Sequence, residues 1–454
     1  MMGKVLRTIK ERQRKIISFN DYVILTLPSG ATKIIEVRRD GTISLGKFGN
    51  FGANYIVGYS YGQSFEILEN KRVQPLKSIT YGLEDADSNE STPIPEFSSS
   101  EDNRNLVDKG DEVQKVTAEE IEKIKKQGGG NEIANKLISK IIEGHESFDK
   151  KTVYSQDKYV IRKQRKFSRR FTVNALSPSN LLNHMRNDRE MDKIQGLSEE
   201  VLGMMMSHAN VMPGGNYLVM DETGGIVVYA MLERMHGEGT ITLLHENDQP
   251  KIAHLMHTNY SEEELYKMVK PINLLQFMEP ADNKPNVGPF PDDVVKAMPD
   301  MRRKRYYRRM KKVKQLNESL DMVQHGAFDG LVYVSTLNPV GFVPKIINKI
   351  AGSRSIVVYS QYKEILIGLS HIFLRDKHIL LPNIYESRVR HFQTIPGRLH
   401  PTMTSVGGGG YFLSGIKVIP TEGAVASGRR SKKRAGVEQQ EEVKKIKLAS
   451  DSSA

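Results

Sequence analysis

Between Asn216 and Asn247 the chain spells a sequence of elements that few folds accept. Tyr217–Met220 is an apolar run of strand type, and Asp221-Glu222-Thr223-Gly224-Gly225 is a turn. Ile226 to Met235 is apolar at helical spacing, and Thr240–Leu244 reads as the next strand. Strand, turn, helix and strand in that order open an α/β domain built on a parallel sheet covered on both faces. Where such a turn holds a phosphate or nucleoside it needs glycine at alternate positions, so that the backbone approaches the ligand with no Cβ in the way. An acidic-x-Gly-x-Gly-x-Gly loop in this register would place glycine at 223, 225 and 227. Thr223 and Val227 occupy two of those places and only Gly225 remains. β-Branched residues are the stiffest choice for such a loop. The frame of a nucleotide-binding unit is kept, and the part that would hold the nucleotide is lost.

The same alternation of strand and helix extends from about Arg170 to Pro420 and predicts a mostly parallel sheet. Its candidate strands are Tyr217–Met220, Thr240–Leu244, Ile272–Phe277, Leu331–Val334 and Ser355–Tyr359, followed by a helix with Tyr362, Ile365, Leu366 and Leu369. Ile379–Ile395 and Tyr411–Val418 have no helix between them and read as a closing antiparallel pair. Ahead of this, Ser18 to Thr80 alternates β-formers with glycine-rich corners, which suggests a small antiparallel barrel or sandwich. Glu84 to Glu112 carries ten acids against two bases, the composition of a linker. Thr117-x-x-Glu120 is a capping box that opens a helix. The expected organisation is therefore a β-barrel-like domain over 1–82, an acidic linker with short helices over 83–150, a Rossmann-like α/β domain over 151–425, and a basic tail over 426–454.

Composition narrows the function. A length of 454 residues suggests about three domains. Cysteine is absent, which excludes disulfides, thiolate zinc sites and cysteine nucleophiles and fits a reducing compartment. The longest apolar stretch, Ile226 to Leu232, is far short of the roughly 20 residues a membrane helix needs, and no signal peptide is visible, so a soluble intracellular protein with no membrane partner is expected. The net charge of +12 coexists with 54 acidic residues, so positive charge must be concentrated. One concentration is Lys158 to Phe171, with Lys158, Arg162, Lys163, Arg165, Lys166, Arg169 and Arg170 set around Tyr159, Phe167 and Phe171. The other, Arg302 to Lys314, has nine bases in thirteen residues, among them Arg302, Arg303, Lys304, Arg305, Arg308, Arg309, Lys311 and Lys312 around Tyr306-Tyr307. Bases neutralise phosphates and aromatic rings stack on unpaired nucleobases, the chemistry of an RNA-binding surface. The alternatives are a solvated basic face or pairing with the chain's own acidic linker.

Several stretches, in order, resemble one family. They are Asp102-Asn103-Arg104-Asn105-Leu106-Val107-Asp108, Thr117-Ala118-Glu119-Glu120-Ile121, and Gln156-x-Lys158-Tyr159 with its basic run. Val219-Met220-Asp221-Glu222-Thr223-Gly224-Gly225-Ile226-Val227, Leu232-Glu233-Arg234-Met235, His400-Pro401-x-Met403 and Gly407–Gly410 before Tyr411-Phe412-Leu413 continue the match. Together they resemble the non-catalytic subunit of the tRNA (adenine(58)-N(1))-methyltransferase, over about Asn20 to Pro420. The resemblance implies a barrel-like N-terminal domain and a class I methyltransferase fold, whose parallel sheet ends in an antiparallel hairpin. It also implies tRNA binding and assembly with a related catalytic subunit as a heterotetramer, two of each, in which the partner binds S-adenosylmethionine.

The residues agree that this chain lacks the chemistry. Methyl transfer to N1 of adenine needs a bound methyl donor and a carboxylate near the adenine edge. In catalytic relatives that carboxylate follows the fourth strand, whereas here no Asp or Glu lies between Asp329 and Glu364. The ribose-binding acid expected at the end of the second strand is replaced by His245, with Glu246 one place later and on the opposite face. No catalytic, cofactor-binding or metal-binding residue is therefore assigned. His254 and His257 are spaced to share a helix face, but no carboxylate nearby completes a metal site. Gly407–Gly410 precedes a strand, so it reads as a close hairpin approach and not a phosphate cradle. Tyr411, Phe412 and Leu413 on the closing hairpin are the expected partner interface, because an exposed apolar sheet edge must be covered. Lys432-Lys433-Arg434 and Lys444-Lys445-Ile446-Lys447 resemble a two-part nuclear import signal, or else a basic tail adding to RNA affinity. The expected function is a tRNA-gripping, architecture-building subunit. The alternative is a stand-alone RNA-binding or translation-associated protein on an inactive methyltransferase fold.

Overall fold

The structure is a computed structural model that describes residues 16–76, 116–117, 119–121, 124, 131–187, 190–285, 288–395, 398–403 and 407–420. The 426–454 tail, with both its basic clusters, and most of the acidic linker lie outside the described residues.

The alternation near the start forms strands β1 (Tyr22–Thr26), β2 (Thr32–Glu36), β3 (Thr42–Ser44), β4 (Asn50–Gly52), β5 (Ser64–Ile67) and β6 (Val73–Pro75). The capping box at Thr117 forms as expected: its backbone N–H donates to the Glu120 carboxylate, and the Glu120 N–H donates to the Thr117 hydroxyl. Helices α1 (Asn131–Glu143) and α2 (Val153–Phe167) follow, and then β7 (Arg170–Ala175). Strand β7 enters between β1 and β5 to give a five-stranded antiparallel sheet in the order β2-β1-β7-β5-β6. Its central strand thus comes from beyond residue 150, where the α/β domain was expected to begin. Phe171 on β7 explains why: fully buried, it stacks on Phe51 at 4.3 Å and on Phe65 at 5.7 Å. The outer strands β2 and β6 are not paired with one another, and the core is enclosed by packing of the β3–β4 hairpin through Ile43 and Phe51.

The α/β portion runs α3 (Pro178–Asn187), α4 (Glu199–His208), β8 (Asn216–Asp221), α5 (Ile226–Arg234), β9 (Thr240–His245), α6 (Glu262–Met268) and β10 (Val269–Asn273). It continues through α7 (Leu274–Met278), α8 (Asp292–Ala297), α9 (Asp300–His325), β11 (Phe328–Val334), α10 (Pro339–Ile346), β12 (Ile350–Ser360) and α11 (Lys363–Arg375). It closes with β13 (Ile379–Glu386), β14 (Phe392–Ile395), β15 (Arg398–Pro401) and β16 (Tyr411–Lys417). The seven-stranded sheet has the order β10-β9-β8-β11-β12-β16-β13, with β16 antiparallel to both neighbours and the rest parallel. A parallel sheet closed by an antiparallel pair, β13 and β16, is the class I methyltransferase arrangement expected from the sequence. Ile226 to Leu232 of α5 is buried throughout, the property of a helix that is apolar all round. No helix of the described residues is long and apolar enough to cross a membrane.

One strand begins and ends earlier than expected, at Val269–Asn273. Ile272–Phe277 divides at Asn273, whose side chain accepts from the Leu275 N–H while Gln276 reaches back to the Asn273 N–H. This capping box turns the apolar run into α7. Gly409 and Gly410 settle the glycine run as a close approach. A Cβ on Gly409 would lie 2.1 Å from the Ser198 hydroxyl, and one on Gly410, where φ is +82°, 2.4 Å from the Tyr359 hydroxyl. That buried hydroxyl lies within hydrogen-bonding reach of the Gln195 carbonyl at 2.8 Å and the Gly409 carbonyl at 3.0 Å. Gly410→Ala is expected to destabilise the chain by about 3 kcal/mol, combining left-handed backbone strain with displacement of a buried hydroxyl from its acceptors. Chemical denaturation checks this, and an unchanged midpoint would contradict it.

Candidate functional site

In open parallel sheets ligands bind beyond the carboxyl ends of the strands, where the strand order reverses. Here that point lies between β8 and β11. Asp221 ends β8 and is fully buried. One of its carboxylate oxygens accepts from the Thr223 N–H at 2.7 Å and the Thr223 hydroxyl at 2.6 Å, and the other accepts from the Val228 N–H at 3.0 Å. Burial raises the Asp221 carboxyl above its ordinary range, and these hydrogen bonds pull it partly back. The Thr223 hydroxyl in turn accepts from the Val227 N–H at 3.4 Å. The Thr223, Val227 and Val228 N–H groups around this helix start are therefore engaged by the loop's own side chains.

The space above the turn is also filled. The segment Ala253–His257, a short 3-10 helix, crosses it, and the His254 N–H donates to the Gly224 carbonyl at 3.0 Å. A Cβ on Gly224 would meet the His254 ring at 2.6 Å, and one on Gly225 would meet Leu255 at 3.0 Å. Gly224 and Gly225 serve this packing, at φ of +76° and +97°. Burial is the largest influence on His254, and it lowers the imidazole pKa. Across the crevice, one oxygen of Glu222 accepts from the Thr336 N–H at 2.7 Å and from the Thr336 hydroxyl at 2.8 Å. A carboxylate thus does lie beside the loop after the fourth parallel strand, but it arrives from the first strand's turn and is held as a strap. At the end of β9, His245 engages the Asn247 carbonyl at 2.6 Å and Glu246 is exposed. These residues do not fit an S-adenosylmethionine molecule. Among the described residues no group of three His, Asp or Glu side chains could hold a metal, so His254 and His257 lack further ligands.

The two basic runs lie on separate helices. On α2, Lys158, Arg162, Arg165 and Lys166 are exposed and Tyr159 and Lys163 half-buried, while Gln156 and Val160 face inward. The Lys163 ammonium sits 4.8 Å from the centre of the Tyr159 ring. Arg169 and Arg170, half-buried, carry the run into β7. On α9 only Ser319, Leu320 and Val323, in its second half, are buried. Buried Lys270 pairs with Glu318 at 2.6 Å, which fastens that half to β10. The first half stands outward with Arg302, Lys304, Arg305, Arg308, Arg309, Lys311 and Lys312 exposed and Arg303 bonded to Asp300. Lys311 lies 4.4 Å over the Tyr266 ring.

The expected partner interface needs correction. Phe412 and Leu413 are completely buried within this chain, and Tyr411 is partly buried. Strand β16 is an interior strand covered on both faces, so its apolar run is core. The edge strand next to β16 is β13, where Leu380 is 51% and Leu381 70% exposed. The ladder is irregular between Leu380 and Asn383, with Leu381 at a φ of +52°. Exposed Phe392, Leu399 and Met403 follow on and after the β14–β15 hairpin.

A family model described as the Gcd10p family matches residues 16–299. The chain is 44% identical over 433 residues to a Debaryomyces hansenii protein named tRNA (adenine(58)-N(1))-methyltransferase non-catalytic subunit TRM6, covering 93% of this chain and 91% of that one. It is 30% identical over 477 residues to the Schizosaccharomyces pombe protein of the same name, covering 96% and 99%. Among solved structures, the tRNA (m1A58) methyltransferase TrmI from Aquifex aeolicus overlays with a TM-score of 0.43 at 11% identity, covering 89% of this chain and 99% of that one.

Proposed function

From the premise that the chain belongs to the Gcd10p family, whose relatives are tRNA (adenine(58)-N(1))-methyltransferase non-catalytic subunits, we propose how it serves such an enzyme. It is the non-catalytic subunit and depends on a catalytic partner. The partner binds S-adenosylmethionine and performs the methyl transfer, and this chain supplies tRNA contacts and architecture. Two such pairs assemble around the tRNA. The observation that carries this reading is the self-capped turn, in which Asp221 and Thr223 satisfy one another under the Ala253–His257 segment. Titration calorimetry tests it: S-adenosylmethionine should give no binding heat with this chain alone and one site per catalytic subunit in the complex. Micromolar binding to the isolated chain would refute the division of labour.

The α2 and α9 runs supply the tRNA backbone contacts in this reading. Replacing Lys163, Arg165 and Lys166 by alanine should weaken tRNA binding and flatten its dependence on salt by about two to three units of slope, because fewer counterions are released. The loss should be the same for any tRNA, since phosphate contacts do not read bases. Filter binding over a range of salt concentrations measures both, and an unchanged slope in a folded variant would exclude direct phosphate contact by α2. Nuclear localisation, read from the basic tail, belongs to the same proposal.

A further inference from the structure

We propose that Phe290 and Tyr307, braced by Tyr306 at the outward end of α9, form a stacking platform for an unpaired RNA base whose flanking phosphates meet the α9 cations. The proposal rests on the reading of this chain as a tRNA-binding subunit and adds to it a site that engages bases.

Phe290 is 54% and Tyr307 57% exposed. Tyr306 lies between them, its ring centre 5.5 Å from each. The Phe290 N–H donates to the Tyr306 hydroxyl at 3.0 Å, which ties the loop carrying Phe290 to the helix. The rings are therefore held in place before any ligand arrives, which removes much of the ordering cost of binding.

Their surroundings select the ligand. Side chains three and four positions apart share a helix face. Arg302, Arg303 and Arg309 accordingly flank Tyr306, while Arg303, Lys304 and Lys311 flank Tyr307. The acids nearby are Asp300, bonded to Arg303, and Asp292 and Asp293 in the first turn of α8. Lysine is depleted from protein–protein interfaces, and a cluster of one sign of charge that includes Lys304 and Lys311 suits a polyanion. Rings set among cations suit a nucleotide, whose base offers a flat face and whose backbone offers negative charge. A base inside a duplex has no face to offer, so the platform requires an unpaired one.

The test uses the full-length chain with two RNA probes, an unstructured oligonucleotide and a blunt duplex of equal length. Phe290→Ala with Tyr307→Ala should weaken the single-stranded probe about tenfold or more, the size of a base–aromatic stack. Duplex binding and the salt slope should stay as in the parent, and Tyr307→Phe should bind normally. Arg308→Ala with Arg309→Ala should weaken both probes and flatten the slope. If only the arginine pair matters, α9 is an RNA face without a platform and the proposal fails. If neither pair changes binding, the RNA reading of α9 fails as well. If the aromatic pair instead loses a copurifying protein while RNA binding is unchanged, the rings are a protein contact and the proposal is overturned.

Discussion

Replacing Leu380 and Leu381 by aspartate is expected to separate this chain from its catalytic partner and abolish tRNA methylation while leaving the chain folded. Both side chains are more than half exposed on the edge strand β13, so the change removes no core contact. A sheet edge that presents leucines next to a strand ladder invites pairing with another chain, and a stable protein covers it. Two buried leucines at the centre of an interface contribute about 3 kcal/mol or more, so the complex should weaken at least roughly 100-fold. Copurification and methylation of tRNA by the mixed subunits measure this. A variant complex that survives size exclusion and methylates at the parental rate would remove β13 from the interface. Phe412→Asp should behave differently: a charge placed at a fully buried position in the sheet is expected to unfold the α/β portion itself. Comparing the two variants separates loss of partner from loss of fold.

Restoring the glycine pattern with Thr223→Gly and Val227→Gly is expected to give a weaker protein and no S-adenosylmethionine binding. Thr223 supplies two of the three hydrogen bonds to buried Asp221, one of them from its hydroxyl. Loss of that hydroxyl leaves a buried carboxylate under-satisfied, at about 1–3 kcal/mol. Val227 is wholly buried in the first turn of α5, and glycine there removes packing and adds backbone entropy to the unfolded chain, at about 2 kcal/mol or more. The sum should lower the melting temperature by about 10 °C. The cofactor would still meet the Ala253–His257 segment above the turn and the Glu222–Thr336 strap beside it. Differential scanning fluorimetry with and without S-adenosylmethionine checks both parts. A ligand-dependent stabilisation of the variant would show that the two missing glycines alone had closed the site.

Local pattern carried a large part of this molecule. The apolar run at Tyr217–Met220 and the helical spacing from Ile226 identify a parallel α/β unit, because the repeats of strand and helix are properties of neighbouring residues. The Thr117-x-x-Glu120 cap and the Thr223 and Val227 departures from glycine were legible for the same reason. Each depends on residues no more than a few positions apart. The bases on α9 could be read as a surface, since so many like charges in one short run have no place in a core.

Other features depended on partners far away in the chain. Phe171 joins the first sheet because it stacks on Phe51 and Phe65, which nothing within β7 announces. Glu222 reaches Thr336 across 114 positions, and the residues that pack over the turn after β8 come from the loop after β9. The clearest case is Tyr411-Phe412-Leu413. A strand covered on both faces reads as a continuous apolar run, and so does a strand left at an exposed edge, so composition cannot tell one from the other. Strand order decides it, and that order follows from how successive strands cross over one another. The sequence by itself therefore determined the kinds of elements and the absence of a glycine loop and a catalytic acid at their ordinary positions. The tertiary structure decided which apolar strand is core, which is edge, and what packs over the turn after β8, because those depend on contacts that close only when the sheet assembles.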